Sequence, residues 1–453
     1  MGKNILKIWC GAVVIFCFVV DASQIVQKNA CNLRLLIKIP SQNSQECLFD
    51  YLDKYYQYLS DDVDCHFLIS LNSNDLSMNC PYVTDLLQKY KNLNFYFAPW
   101  ISKVESWNRD LEKHVDFDVV MIVSDNMVPI IRNYNKIICD KMLQFFPDMD
   151  GVIQFAGNNF DSDVETCFCF VIGRKFYNRF GYIYHPFYKT KFASHELIAV
   201  AHLLNKFQEV SEPLFKVLLA PEVNLYDQED LLLEDDKIIF ELRKAIGFSI
   251  DFSTQKIVRL SILIPTLQSR KFLFDHLIQK LKKQINSLNL QDNIEIVINC
   301  DNREKSVGRK RNELLEQSRG EYECFIDDDD DIHENYVEMI YDALKGYPDC
   351  VGLTGIVTRN GVNSHIFIHS LRYKKYFEQS QIYYRPPNHL NVIRRDIAIR
   401  FKFKDKFCAE DTPWAMQICE SGLLKKEVMI STPYYFYLWN AKNSVQRLNK
   451  IRI

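Results

Sequence analysis

Apolar and polar positions along the chain follow one rhythm, and that rhythm occurs twice. A short apolar run stopped by proline and polar residues appears at 33–44, "LRLLIKIPSQNS", and again at 259–270, "RLSILIPTLQSR". Each has the character of a buried parallel strand feeding a loop. An amphipathic stretch and a second apolar run follow in both halves, "HFLISLNSND" after the first and "IEIVINCDN" after the second. In the second half Phe274, Leu277, Ile278, Leu281 and Ile285 keep the 3–4 spacing of a helix face, as do Tyr336, Met339, Ile340, Ala343 and Leu344. The parallel extends to "NRDLEKHVDFDVVMIVSDNMVP" from Asn108 and "NELLEQSRGEYECFIDDDDDIH" from Asn312, in which Asn108 to Asp125 and Asn312 to Asp329 are both 17 positions apart.

Two copies of one α/β unit are therefore expected, each a mostly parallel sheet flanked by helices. The expected organisation is 31–210 for the first unit, 211–256 for a partly helical linker and 257–453 for the second unit. A leader occupies 1–22. There Lys3 and Lys7 precede the apolar run Ile8–Val20, with Val20 and Ala22 at a small-residue cleavage pattern. About 13 apolar residues suit a signal peptide better than a bilayer span of about 20, which predicts the secretory lumen or secretion, with an uncleaved membrane anchor as the alternative.

Composition narrows the function. At 453 residues and 47% hydrophobic the chain can bury large cores, and a formal net charge of −3 speaks against a nucleic-acid partner. Of the 14 cysteines, Cys10 and Cys17 lie in the leader, and Cys167 with Cys169 has no zinc spacing. Disulfides suit an oxidising compartment, and buried thiols suit the same residues equally.

The chemistry concentrates at Asp327–Asp331, five carboxylates at the carboxyl end of an apolar strand, the edge where open α/β sheets bind ligands. Asp301 and Thr266 end the neighbouring strands. Hard cations such as Mg²⁺ or Mn²⁺ use one or two carboxylates and leave room for phosphate oxygens. If the segment stays extended, Asp327 and Asp329 share one side and Asp328 faces away. An EF-hand loop is disfavoured because its sixth position, Ile332, should be glycine. A solvated acidic turn without ligand is the bland alternative.

Taken together, "SILIPT", "INCDN", "VGRKRNELLEQSRGEYECFIDDDDD" and "CAEDTPWAMQI" resemble the successive signatures of family 2 glycosyltransferases with the GT-A fold, over roughly Arg259 to Trp439. The resemblance implies transfer from a nucleotide sugar, a UDP-sugar being favoured, to a glycan, lipid or protein hydroxyl, usually with inversion. It implies that Pro265, Thr266 and Asp301 hold the nucleoside, that Arg309 and Asn312 lie beside the nucleotide, and that Asp327 and Asp329 hold a metal-diphosphate. Glu410-Asp411 matches the family's base, with Asp411 favoured. The same pair before Thr412-Pro413 also reads as an ordinary helix start. His389 and Trp414 are candidate acceptor or substrate contacts, His389 also a candidate metal contact. His365 and His369 read as strand decoration.

The first unit departs from this pattern: Val123 stands where Asp327 would be, and His195-Glu196 replaces the acid pair. Asp125 and Glu196 mark a candidate second site, and a structural or acceptor-binding pseudo-domain is the competing reading. For the whole chain, the alternative to an enzyme is a glycan- or nucleotide-binding module without turnover.

Overall fold

The computed structural model describes residues 32–41, 45–99, 102–113, 116–124, 126–158, 169–218 and 226–439. The leader and Asp125 lie outside the described residues. Among these residues no helix is long and apolar enough to cross a membrane.

The first unit contributes β1 (Arg34–Ser41), α1 (Gln45–Gln57), β2 (Asp64–Asn72), α2 (Pro81–Leu87), β3 (Leu93–Ala98) and α3 (Lys103–Asn108). It continues through β4 (Val119–Ile122), β5 (Met127–Pro129), α4 (Tyr134–Phe145), β6 (Val152–Asn158), β7 (Cys169–Gly173), α5 (Arg174–Phe180), α6 (Phe192–Leu203) and β8 (Phe207–Val217). Helix α7 (Tyr226–Lys244) and a small hairpin, β9 (Ile250–Asp251) with β10 (Lys256–Ile257), lead to the second unit.

The second unit begins with β11 (Leu260–Leu267), α8 (Lys271–Ser287), β12 (Ile294–Asp301), α9 (Val307–Gln317), β13 (Tyr322–Phe325), β14 (Asp331–Ile332) and α10 (Tyr336–Leu344). Strands β15 (Cys350–Arg359), β16 (Val362–His369), β17 (Phe377–Gln379), β18 (Ile382–Arg385) and β19 (Val392–Arg394) follow. The described chain closes with α11 (Arg395–Ala398), α12 (Asp411–Ser421), β20 (Glu427–Met429) and β21 (Tyr435–Trp439).

The pairing confirms two units of one topology. In the first sheet β2, β1 and β4 are parallel neighbours, β7 inserts antiparallel between β4 and β6, β8 runs parallel to β6, and β5 pairs antiparallel with β8. In the second, β12, β11 and β13 are parallel, β19 inserts antiparallel between β13 and β15, β20 and β21 run parallel to β15, and β14 pairs antiparallel with β21. The first unit adds β3 at its edge; the second adds β16, β18 and β17. Because β8 reaches Val217, the first sheet runs past the boundary expected at residue 210.

The all-apolar runs explain the register: every residue of β4 and β13 is buried, as strands covered on both faces require. One apolar cluster joins Phe170, Tyr184 and Phe187 of the first unit, Ile239 of α7, and Ile262 and Tyr322 of the second. The rings of Phe187 and Tyr322 meet edge to face at 5.6 Å. The described cysteines are free thiols, and Cys65, Cys139, Cys169, Cys324 and Cys350 are buried.

A network of ions lies in the same contact between units. Arg243 of α7 donates to Glu196 at 2.8 and 2.7 Å and approaches Glu321 at 3.4 Å. Glu321 also pairs with His185 and Arg259, each at 2.6 Å, while Tyr188 donates to Glu196 at 2.6 Å. Glu321 belongs to the second unit, and its partner His185 to the first.

On β13, Glu323 is buried with Oε1 unpartnered and only a 3.4 Å hydroxyl from Ser318 at Oε2. Burial, opposed by Arg395, pushes its carboxyl up to about 8. An acid raised above its unfolded value of about 4.3 supports the fold fully below that value and loses the contribution as pH rises towards 8. Glu323→Gln, neutral at every pH, should therefore unfold at a higher temperature than the parent at pH 8.5 and at nearly the same temperature at pH 4. A lower melting temperature at pH 8.5 would contradict this account of Glu323.

Candidate functional site

The site grows from the carboxyl ends of β11, β12 and β13. Strand β13 stops at Phe325, and the aspartates leave it as a turn, with Asp330 N donating to the Asp327 carbonyl at 3.1 Å. The extended alternation expected from sequence is thereby replaced, and Asp327 and Asp329 turn to different neighbours.

Asp327 accepts from Arg311 at 2.8 Å; although burial opposes it, Arg311 and His389 hold this carboxyl well below the usual range. Asp328 accepts from the Thr266 hydroxyl at 2.6 Å and from Arg270 at 2.7 Å. Asp330 is buried under the final strand, accepting from the Tyr435 hydroxyl at 2.7 Å and Leu438 N at 2.9 Å, and burial with Asp327 and Asp329 raises its pKa. Asp331 pairs with Lys280 at 2.7 Å. Asp329 has a side chain 27% exposed and lies 3.2 Å from Arg270. Burial, with Asp327 and Asp328 adding to it, pushes Asp329 up to about 6. A carboxylate so disfavoured in its charged form, yet open to solvent, is suited to receiving a cation.

His389 occupies the space between two acids. Its Nε2 is 3.7 Å from Asp327 and its Nδ1 is 3.8 Å from Asp411, while both ring nitrogens are buried and lack a hydrogen-bond partner. Asp411 is the first residue of α12 and its side chain is 27% exposed. Glu410 is different: it is buried and accepts from Arg311 Nε at 3.0 Å. One guanidinium, Arg311, thus bridges the aspartate turn and the start of α12.

Helix α9 accounts for what sequence reading missed. Its buried residues are Gly308, Lys310, Arg311, Leu314 and Leu315, so Arg309 points outward and pairs with Glu313 at 3.1 Å. Counting back three and four positions from Leu314 and Leu315 identifies Lys310 and Arg311 as the inward cations. Lys310 pairs with Asp301 and donates to the Thr266 carbonyl at 2.7 Å. Asp301 also accepts from Lys305 N at 2.8 Å and Arg303 N at 3.1 Å. Pro265 lies in the buried end of β11 beside Thr266. A Cβ on Gly308 would meet the Lys404 carbonyl, so only glycine lets α9 approach this loop so closely.

Asn312 clips a loop instead of lying open to a nucleotide. Its amide donates to the Phe403 carbonyl at 2.9 Å and accepts from Phe403 N at 2.9 Å. Asn108 does the same in the first unit, with the Tyr184 carbonyl at 2.6 Å and the amides of Ile183 and Tyr184 at 3.0 and 2.9 Å. Trp414 is a core residue: buried, stacked on Phe403 at 4.5 Å and donating to the Phe401 carbonyl, it is turned away from any acceptor.

The first unit offers no comparable arrangement among the described residues. Val123 is buried, and Glu196 is locked in the ion network between units. The guanidinium of Arg109 donates to the carbonyls of Leu71, Ala98 and Pro99, filling the carboxyl ends of β2 and β3.

A family model described as Glycosyl transferase family 2 matches residues 275–407, which takes in the aspartate turn and His389 and stops just short of Glu410-Asp411. No curated protein matches the chain. Among solved structures it is similar to S. aureus TarS 1-349 in complex with UDP-GlcNAc, with 16% identity, a TM-score of 0.29, and coverage of 40% of this chain and 58% of that one. It is also similar to the mannosyltransferase PcManGT from Pyrobaculum calidifontis in complex with GDP-Man and Mn²⁺, with 10% identity, a TM-score of 0.34, and coverage of 47% and 64%. The chain spans about three fifths of the length of these structures.

Proposed function

We propose that the second unit, with its family 2 glycosyl transferase region, moves a sugar from a nucleotide-sugar donor, a UDP-sugar being favoured, to an acceptor hydroxyl with inversion at the sugar carbon. The observation that carries this reading is the pair of partly exposed carboxylates, Asp329 and Asp411, each 27% exposed, with His389, whose ring nitrogens lack a hydrogen-bond partner, 3.8 Å from Asp411.

A divalent cation fits Asp329, Asp327 and His389 on their donor chemistry. Asp329 is raised by burial and by neighbouring acids, and an orphaned imidazole lies next to Asp327. Among the described residues no group of three or more ligating side chains is preassembled, so diphosphate oxygens and water would complete the shell, as is usual for Mg²⁺ or Mn²⁺. When bound, the ion would offset the charge that develops on the departing diphosphate. Asp329, with Asp327 and His389 behind it, would hold it.

The remaining work falls to the chain itself. Arg270, 17% exposed and aimed at Asp328 and Asp329, supplies a second positive group on the diphosphate side. Thr266 and Asp301 end the two strands that flank the nucleoside. Asp411 takes the proton from the acceptor hydroxyl as its oxygen attacks the sugar carbon, and the bond to the diphosphate breaks on the opposite face. Arg311 holds Glu410 and Asp327, fixing the start of α12 relative to the aspartate turn.

Calorimetry of UDP with and without Mn²⁺ tests the donor site. Wild type should bind only with Mn²⁺, and Asp329→Asn should weaken binding by roughly tenfold or more, the scale of one lost charge-assisted contact. Failure of wild type to bind UDP or GDP in the presence of metal would leave the glycan-binding module as the better account.

A further inference from the structure

The second unit differs from the first by β16, β18 and β17, and this added sheet ends beside Asp411. Its register places Arg385 opposite His369 and Tyr383 opposite Phe367. The Arg385 guanidinium carbon lies 5.5 Å from the centre of the Tyr376 ring and 6.0 Å from that of Tyr383. Among the described residues no carboxylate forms an ion pair with it, whereas Arg270, Arg311 and Arg394 each hold one or two.

Two further donors around Arg385 are only weakly satisfied. Asn388 is 1% exposed, and its Nδ2 has no hydrogen-bond partner of ideal geometry. The Tyr376 hydroxyl, also buried, has Thr412 and Asn388 as its hydrogen-bonding neighbours, without ideal geometry to either. After burial, the charge of Asp411 is the main influence raising the Tyr376 phenol, and Arg385 acts in the opposite sense, so both charges flank this ring. Asn388 also precedes His389, whose Nδ1 is 3.8 Å from Asp411.

A guanidinium with no carboxylate therefore stands near the proposed base, beside an amide and a phenol whose hydrogen-bonding neighbours are each other, His369 and Thr412. Weakly satisfied buried donors such as Asn388 Nδ2 gain from a better partner, and a guanidinium without a counter-charge gains from an anion. Neutral hydroxyls would answer the amide and the phenol but leave the guanidinium charge uncompensated; a planar or tetrahedral oxyanion meets its fork with two parallel bonds. The proposed function assigns the donor's diphosphate a different cation, Arg270, which is paired with Asp328 and Asp329.

We infer that the acceptor carries an oxyanion, a carboxylate or a phosphate, close to the hydroxyl that is glycosylated, and that Arg385 with Asn388 and Tyr376 selects it. The inference rests on the transferase reading of the cleft and deepens it by giving the acceptor's chemical class. Arg385 is a specificity residue, distinct from the machinery that handles the donor.

Binding to the full chain, saturated with UDP and Mn²⁺, would be followed by calorimetry with cellobiose, cellobiouronic acid and cellobiose 6′-phosphate. At least one charged probe should bind roughly tenfold or more tightly than cellobiose, the scale of a charge-assisted pair of hydrogen bonds. That preference should collapse in Arg385→Gln and return in part in Arg385→Lys, while UDP affinity and melting temperature stay at wild-type values. Which charged probe wins distinguishes carboxylate from phosphate. Equal binding of all three, binding of none while UDP still binds, a preference that survives Arg385→Gln, or a loss of UDP affinity in that variant would each overturn the assignment. A failure of UDP itself to bind would instead count against the transferase reading.

Discussion

Asp411→Asn should leave UDP bound and the chain folded while turnover falls by roughly 10²- to 10⁴-fold, the usual range for loss of a positioned general base. The substitution keeps size and shape at the first position of α12 and removes only the capacity to take a proton. Asp411 is the acid suited to that role because its competitors are occupied: Glu410 and Asp327 are both bound to Arg311, Asp328 to Thr266 and Arg270, and Asp330 to Tyr435. Its neighbour His389 forms no hydrogen bond with it. Steady-state rates with a labelled nucleotide sugar, beside calorimetry on the same preparation, separate chemistry from binding. A variant that keeps more than about a tenth of parental kcat would move the base elsewhere.

Arg243→Leu should cost about 3–5 kcal/mol of stability, because truncating one member of a buried ion cluster leaves its partners charged and unanswered. Arg243 is 3% exposed at its side chain and stands between Glu196 and Glu321, which are 5% and 0% exposed. Burial raises the Glu196 carboxyl, but Arg243 and His185 outweigh it and the net shift is downward. A depressed acid contributes stability that is complete above its unfolded value of about 4.3 and is lost as pH falls through the lower folded value. Parent and variant should therefore differ most at neutral pH and converge in acid, and urea unfolding at pH 7 and pH 3 would show it. A loss below about 1 kcal/mol at pH 7 would mean that water reaches the cluster and screens it. Arg243→Leu with Glu196→Leu should recover part of the loss, since apolar replacement of a whole pair is far milder than removal of one half.

The frame was legible in the sequence because buried parallel strands write themselves as unbroken apolar runs. Leu260–Ile264 and Tyr322–Ile326 could be read that way, and the 17-residue spacing from Asn to Asp exposed the duplication before any coordinate. The meaning of the two asparagines was not legible, since a clip on a backbone 76 or 91 residues away leaves no local trace. Asp327 and Asp329 were paired by assuming an extended strand, whereas the turn after Phe325 sends them to different partners. The resemblance places Arg309 beside the nucleotide, whereas the phase of α9 set by Leu314 and Leu315 turns Lys310 and Arg311 inward and Arg309 outward. Glu196 and Trp414 were misplaced for a common reason: an acid or an indole beside a helix start looks the same in sequence whether it faces a cleft, a neighbouring unit or the core.

The ion cluster between the units also has a direction in time. A chain made from its amino end completes the first unit and α7 before Glu321 exists, and at that stage Glu196 and Arg243 already neutralise each other. Arg259 and Glu321 then arrive together with the second unit, and His185 is waiting for them in the first. At each stage of synthesis the charges to be buried come with a counter-charge already made, so no folded intermediate must hold a bare ion in its interior. A permuted chain that made the second unit first would lack His185 and Arg243 when Glu321 is buried, and would depend on the late arrival of the other half to finish its own core.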